Sequence, residues 1–251
     1  MIESARNPRI QSLLRAVEER RLFVLEGEKF ILDAAAAGFE FEEIFHDEHL
    51  KPGRLSVLAR HRTTPVRRAV LERFCAASTP QHAVGLAKRR ESSVREILAA
   101  AGPAIYLDSV QDPGNLGAIA RVLEAVRGAG LLASEGCADL FHPRSLRGSA
   151  GSLLRIRAAS SVDFRLAAEE ARGAGREICG TGGRAAEDLF ASTFEKPSLW
   201  VFGSEGAGLS PAVRRQVERR IAIPLAPPVE SLNVAVAAGI VLFTAARKTR
   251  E

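Results

Sequence analysis

Apolar positions change rhythm along this chain of 251 residues, and each rhythm predicts a different kind of element. From Asn7 to Arg20, Ile10, Leu13, Leu14 and Val17 recur at helical spacing, which predicts an amphipathic helix. Short apolar runs at Leu22–Leu25 and Ala83–Ala87, and an alternating run at Phe41–Phe45, predict strands. Helices are expected over Glu28–Ala37, ended by Gly38, and over Val70–Ala77. Together they predict a small α/β unit over residues 1–95, leaving through the stretch Glu91–Gly102 into a second domain, 96–251.

From Ala104 the pattern becomes regular. Wholly apolar strands are expected at Ala104–Leu107, Gly130–Ala133, Glu177–Gly180, Ser198–Phe202 and Arg220–Pro224. Helices are expected between them, at Leu116–Arg127, Arg144–Leu154, Phe164–Ala174 and Pro211–Arg219. Strands without polar alternation, separated by helices, predict a parallel sheet covered on both faces. Such sheets bind ligands beyond the carboxyl ends of their strands. The final stretch runs from the strand through Pro227 and Pro228 into a helix expected to open at Ser231, a good N-cap residue, and to end near Phe243.

Composition narrows the class. With 46% hydrophobic and 26% charged residues the chain reads as a soluble globular protein, and no apolar run predicts a membrane span or a signal peptide. Cys75, Cys137 and Cys179 are far apart and the five histidines form no ligand spacing, so a reducing cytoplasm and no metal are expected. The net charge of +5 is unevenly spread. Residues 1–50 carry 6 Lys/Arg against 11 Asp/Glu, whereas residues 51–95 carry 11 against 2. That block, with Arg60, Arg62, Arg67, Arg68, Arg73 and Lys88-Arg89-Arg90, could neutralise several phosphates of a nucleic acid. The plain alternative is a solvated charged face.

Three strand ends carry candidate chemistry. The first, Asp108-Ser-Val-Gln-Asp-Pro-Gly-Asn-Leu-Gly-Ala-Ile-Ala-Arg121, sends a strand through a Pro-Gly turn into a helix expected to be capped by Asn115, with Gly117 in its first turn. It has neither the glycine spacing of a dinucleotide fingerprint nor the Gly-Lys-Ser/Thr of a phosphate loop. The second sets Gly203, Gly206 and Gly208 around Glu205, where glycines would let backbone approach a bulky ligand. The third is the terminal strand and helix around Ser231, Leu232 and Asn233.

These three motifs closely resemble those of the SpoU (TrmH) family of RNA ribose 2′-O-methyltransferases. The matching positions are Asn115, Gly117, Ala118 and Arg121, then Gly203, Glu205, Gly206, Gly208 and Leu209, then Ile223, Pro224, Ser231, Leu232, Asn233 and Val234. Arg147-Gly-Ser-Ala-Gly151 is similar to a further family segment. The resemblance covers about residues 104–245. Residues 1–95 resemble, through Asn7-Pro8, Glu26-Gly27 and Pro80-Gln81, the substrate-binding domain that many members carry, similar in fold to ribosomal protein L30e.

The resemblance implies a SPOUT fold, in which a parallel sheet has its C-terminal segment threaded as a deep trefoil knot, and a homodimer that methylates RNA. It implies a pocket for S-adenosylmethionine built from Thr181, Gly182, Gly203, Gly206, Ile223, Leu225, Leu232 and Val234. It implies catalytic roles for Arg121, Asn115, Glu205, Ser231 and Asn233. Relatives' arginine at the Arg121 position is a proposed base, but a guanidinium stays protonated, so orienting a phosphate and stabilising a developing alkoxide suits it better. The plain alternative for Arg121 is a surface ion pair with Glu124 or Glu205. Ribosomal RNA is the favoured substrate and transfer RNA the alternative. Two other readings remain: an RNA-binding protein without catalysis, which would lack Asn115, Arg121 or Glu205, and an enzyme using another nucleotide, which would need a phosphate loop.

Overall fold

A computed structural model describes residues 1–51, 53, 58, 61–76, 81–182 and 187–248, and the chain divides into two compact units. One comprises Met1–Arg90 with Phe141–Pro143, the other Glu91–Leu140 with Arg144–Glu251. Arg60 of the basic block, Ala77 and Pro80 lie outside the described residues.

The first unit opens with α1 (Pro8–Glu18), which starts because Pro8 suits a first helical turn and Asn7 accepts a hydrogen bond from the Arg9 N–H at 2.9 Å. Its apolar stripe buries Ile10, Leu13 and Ala16. β1 (Leu22–Glu26), α2 (Glu28–Ala36), β2 (Phe41–His46), β3 (Thr63–Pro65), α3 (Arg68–Leu71) and β4 (Ala83–Lys88) follow. The sheet order is β1-β4-β2-β3; β4 runs antiparallel to both neighbours and β2–β3 is parallel. Ile10, Leu13, Val24, Phe45, Val70 and Leu86 share its core. The helix expected over Val70–Ala77 closes after one turn, at Leu71.

The second unit contains α4 (Val94–Ala99), β5 (Ala104–Asp108), α5 (Pro113–Ala125), β6 (Gly130–Ala133), α6 (Pro143–Gly148), α7 (Ser152–Arg155), β7 (Ala158–Ala159) and α8 (Phe164–Gly173). Then come β8 (Glu177–Thr181), β9 (Glu187–Asp188), β10 (Ser198–Gly203), α9 (Pro211–Arg214), β11 (Arg219–Ala222) and α10 (Val234–Lys248). All seven strands are parallel, in the order β7-β6-β5-β10-β8-β11-β9. The expected parallel α/β sheet is therefore present. From β5 the chain builds outward through β6 and β7, then returns to the other side of β5, so direction reverses between β5 and β10. A crevice forms at such a switch point, beyond the strands' carboxyl ends.

Two local expectations need correcting here. The single helix expected over Arg144–Leu154 is two, because Ala150 and Gly151 both adopt positive φ (49° and 88°), which an α-helix does not accommodate. The helix expected to reach Arg219 stops at Arg214, since Arg219 is already paired in β11. Helices α5 and α6 cross with almost no gap, because a side chain on Gly117 would overlap the backbone of Ser145 and Ser149.

The energetic anchor of this unit is Arg176, only 4% exposed. Its guanidinium donates to the carbonyls of Leu98 (2.6 Å), Gly102 (2.8 Å), Ser198 (3.4 Å) and Ala100. Burial lowers its pKa, yet it holds the turn after α4 against the start of β10. Replacing it strands several buried carbonyls. We expect Arg176→Met to destabilise folding by about 3 kcal/mol. In urea denaturation a loss under about 1 kcal/mol would show that water replaces the guanidinium.

Candidate active site

The site is assembled from the loops that follow β5, β10 and β11. β5 ends in a carboxylate, Asp108, which is 6% exposed and accepts a 2.7 Å hydrogen bond from the Ser210 N–H, tying the first loop to the second. Ser109 then takes a left-handed backbone conformation (φ 60°), steadied by its N–H donating to Ser134 Oγ at 2.9 Å. The helix α5 is capped by Asp112, not Asn115: Asp112 Oδ1 accepts from the Asn115 N–H at 2.8 Å and Pro113 follows as the first helical residue. An Asp-Pro pair just before a helix carries that signal in the sequence. With the cap supplied elsewhere, the Asn115 amide is free to act at a distance.

The loop after β10 is pinched by a bridge between Ser204 and Gly208. Gly203 is there for the loop itself, since a side chain would overlap the Gly208 carbonyl. The third loop ends at Asn233, which caps α10 in place of the expected Ser231: its Oδ1 accepts from the N–H of Ala235 (3.0 Å) and Val236 (3.3 Å). A Ser231 cap would begin the helix two residues early.

The three loops meet in one triangle. Asn115 Nδ2 donates to Glu205 Oε1 at 2.7 Å, and Asn233 Nδ2 donates to the same oxygen at 2.8 Å and to Asn115 Oδ1 at 3.0 Å. These are charge-assisted bonds, which are shorter and stronger than neutral ones. The sequence separations are 90, 28 and 118 residues, so the triangle is wholly tertiary.

On one side of the triangle is a cavity of about 620 Å³. Thr181, Gly182, Gly203, Ile223, Leu225, Leu232 and Val234 line it, as does Ser231. Gly206 does not: it lines a neighbouring cavity of about 440 Å³, with Ser109, Val110, Gln111, Asp112 and Asn115. Ser204, Glu205 and Val234 border both. The larger cavity combines an apolar wall (Ile221, Ile223, Leu225, Leu232) with the carboxylates of Glu205 and Glu230, and among the described residues neither Lys nor Arg lines it. Its size is ordinary for a cofactor pocket. Carboxylates without basic partners repel a phosphate-bearing cofactor and attract a cationic one. The residues present thus fit the adenosyl sulfonium that the sequence motifs imply.

Arg121 is exposed on α5 and lines neither cavity. Its expected ion-pair partners are engaged elsewhere, Glu124 with Arg155 Nε at 2.6 Å and Glu205 with the two asparagines. Among the described residues none pairs with Arg121. Cys179 in β8 is no nucleophile, its thiol pushed up to about 12 by burial. The motifs had not singled out Ser109, Gln111 and Asp112 as site residues, because turn residues before a helix look alike whether or not they line a cavity.

Residues 102–243 match the SpoU rRNA Methylase family and residues 9–85 an MRM3-like substrate binding domain. The chain belongs to the SpoU rRNA methylase family. An uncharacterized tRNA/rRNA methyltransferase of Synechocystis sp. (strain ATCC 27184 / PCC 6803 / Kazusa) is 38% identical over 144 residues, 57% of this chain and 53% of that protein, so the match spans about half of the relative. The 23S rRNA (guanosine(2553)-2′-O)-methyltransferase RlmP of Bacillus subtilis (strain 168) is 29% identical over 96% of this chain and 97% of its own. In structure, the SpoU methyltransferase AviRb from Streptomyces viridochromogenes, solved with the cofactor AdoMet, superposes with a TM-score of 0.88 at 26% identity, covering 98% of this chain and 99% of that one. The parallel α/β sheet is thus that of the SPOUT methyltransferases.

Asn233 has two separable jobs in this SpoU site, capping and clamping. Serine caps a helix nearly as well but is too short to reach Glu205. We expect Asn233→Ala to cost about 1 kcal/mol in urea denaturation, and Asn233→Ser about half that or less. Equal losses for both variants would mean that the clamp, not the cap, sets stability.

Proposed function

We propose that this chain transfers a methyl group from S-adenosylmethionine to a ribose 2′-hydroxyl of RNA, with ribosomal RNA favoured and transfer RNA the alternative. The observation that carries this reading is the Asn115–Glu205–Asn233 triangle standing between two cavities at the switch point of the sheet. The names of the relatives support it: RlmP acts on 23S rRNA, and AviRb was solved with AdoMet.

In this reading Thr181, Gly182, Gly203, Ile223, Leu225, Leu232 and Val234 hold the adenosyl group, with Ser231 at the wall of the same cavity. Bound there, the cofactor supplies an activated methyl on a sulfonium. The protein's own task is to orient the ribose and keep water from competing. Arg121, unpaired and exposed, carries a positive charge to the RNA phosphate beside the modified nucleotide. RNA is required because only RNA has the 2′-hydroxyl.

The finer architecture follows the same reading. Residues 1–95 form an L30e-like RNA-binding domain and residues 96–251 the methyltransferase domain. The C-terminal segment is threaded as a deep trefoil knot, a rare exception among folds. The enzyme works in the cytoplasm as a homodimer. The exposed apolar face of α10 supports the dimer: Val236 is 53% and Phe243 56% exposed, seven residues apart and so on one helix face. Among the described residues no helix is long and apolar enough to cross a membrane.

The deciding assay is transfer of labelled methyl from S-adenosylmethionine to unmodified ribosomal and transfer RNA, with nucleoside analysis. A 2′-O-methylated nucleoside is expected. Arg121→Ala should lower kcat/KM by about 10²-fold or more, and Arg121→Lys should recover part of it. Methyl on a base instead of a ribose would overturn the assignment. For assembly, sedimentation should show a dimer that Phe243→Glu converts to monomer; an unchanged sedimentation coefficient would place the interface elsewhere.

A further inference from the structure

The methyltransferase reading leaves open which group removes the 2′-hydroxyl proton. Arg121 is poorly suited, since a guanidinium stays protonated and Arg121 borders neither cavity. Glu205 is differently placed. Three residues border both cavities, Ser204, Glu205 and Val234, and of these Glu205 alone is titratable. Glu230 borders only the larger cavity and Asp112 only the smaller. Both amides of the triangle converge on Oε1, while Oε2 accepts no hydrogen bond from the described residues. The carboxylate is thus fixed in orientation with one oxygen left over.

The smaller cavity is the one that Glu205 shares with the first loop. It offers the hydroxyls of Ser109 and Ser204, the amides of Gln111 and Asn115 and the carboxylates of Asp112 and Glu205. Asp112 is paired with Arg144 at 3.4 Å, and among the described residues neither Lys nor Arg lines the cavity itself. Such a lining exchanges hydrogen bonds with neutral O–H and N–H groups and offers no cation to a phosphate. A nucleoside without its phosphates has that chemistry. Gln111 has no hydrogen bond within the described residues and can present donor and acceptor to a base edge.

Resting on the methyl-transfer reading, we infer that the smaller cavity receives the target nucleoside and that Glu205 is the catalytic base. The ribose O–H donates to Glu205 Oε2. As the oxygen forms its bond to the methyl carbon of the sulfonium donor, the carbon–sulfur bond breaks and its electron pair stays on sulfur as a neutral thioether. The hydroxyl proton passes to Oε2, leaving a neutral carboxyl group and a neutral ether. The Asn115 and Asn233 amides are positioning groups that keep Oε1 occupied and Oε2 aimed.

The test uses the full chain with unmodified ribosomal RNA. Glu205→Gln keeps an oxygen for the two amides and removes the proton acceptor. Its kcat should fall by about 10²-fold or more, the range of lost general-base catalysis. Its Kd for RNA by filter binding should stay within about threefold of wild type, and the fall in kcat should persist at saturating S-adenosylmethionine, whose Kd by calorimetry rises with the lost charge. In Glu205→Ala, added formate should restore part of the turnover, whereas Arg121→Ala should gain nothing. Glu205→Gln turning over at the wild-type rate, or losing kcat only in step with weakened cofactor binding, overturns the assignment. A wild-type protein that methylates no RNA would refute the functional reading itself, a result distinct from an active wild type with an active Glu205→Gln.

Discussion

The three loops of the site depend on one oxygen atom. Glu205 Oε1 accepts from Asn115 after β5 and from Asn233 before α10, so a single carboxylate closes three loops that the sheet only brings near one another. Charge-assisted bonds of this kind gain strength away from water, but the carboxylate must also remain reachable by a ligand. The exposed position of Glu205 satisfies the second demand. The first is met by geometry, since Asn233 is already fixed by capping its helix and Asn115 by sitting in the first turn of α5. Each asparagine therefore gives up little freedom when it meets the carboxylate.

Much of this fold was legible in the chain, and the exceptions share a cause. The central strands β5, β6 and β10 are almost wholly buried because both faces of the sheet are covered, and their apolar runs have no good alternative reading. Strands of two or three residues, such as β3, β7 and β9, carry no periodicity to read. The caps were misjudged at both ends of the site because several capping residues compete in one stretch. Ser231 and Asn233 are two residues apart and Asp112 and Asn115 three, so each helix start offers two capping residues. Asn233 wins at α10 because its amide also finds Glu205. Arg176 could not have been found: nothing near it marks an arginine that will be buried among carbonyls contributed by residues 98–102 and 198.

The glycines illustrate the same limit. A glycine-rich loop suggests a ligand pressed against bare backbone, and that was the natural expectation for Gly203. Instead the missing side chain makes room for the carbonyl of Gly208. Gly117 likewise makes room for another helix. Both glycines serve the site by letting backbone meet backbone, which is also why the loops can be short. Gly206, by contrast, has open space where a side chain would be and borders the smaller cavity.

Charge is sorted more sharply than composition suggests. The chain is net positive, yet among the described residues both cavities are lined by carboxylates and by neither Lys nor Arg. A polyanionic substrate meeting this unit is attracted by exposed arginines such as Arg121 and repelled by the cavity walls. On the proposed reading, phosphates are held outside while a neutral sugar and base enter. On the proposed methyl-transfer reading, the same carboxylates favour a cationic donor in the larger cavity before transfer more than its neutral product afterwards. Loss of the positive charge in the reaction thus weakens the product's hold, and the cavity that attracts the donor also helps to release what remains of it.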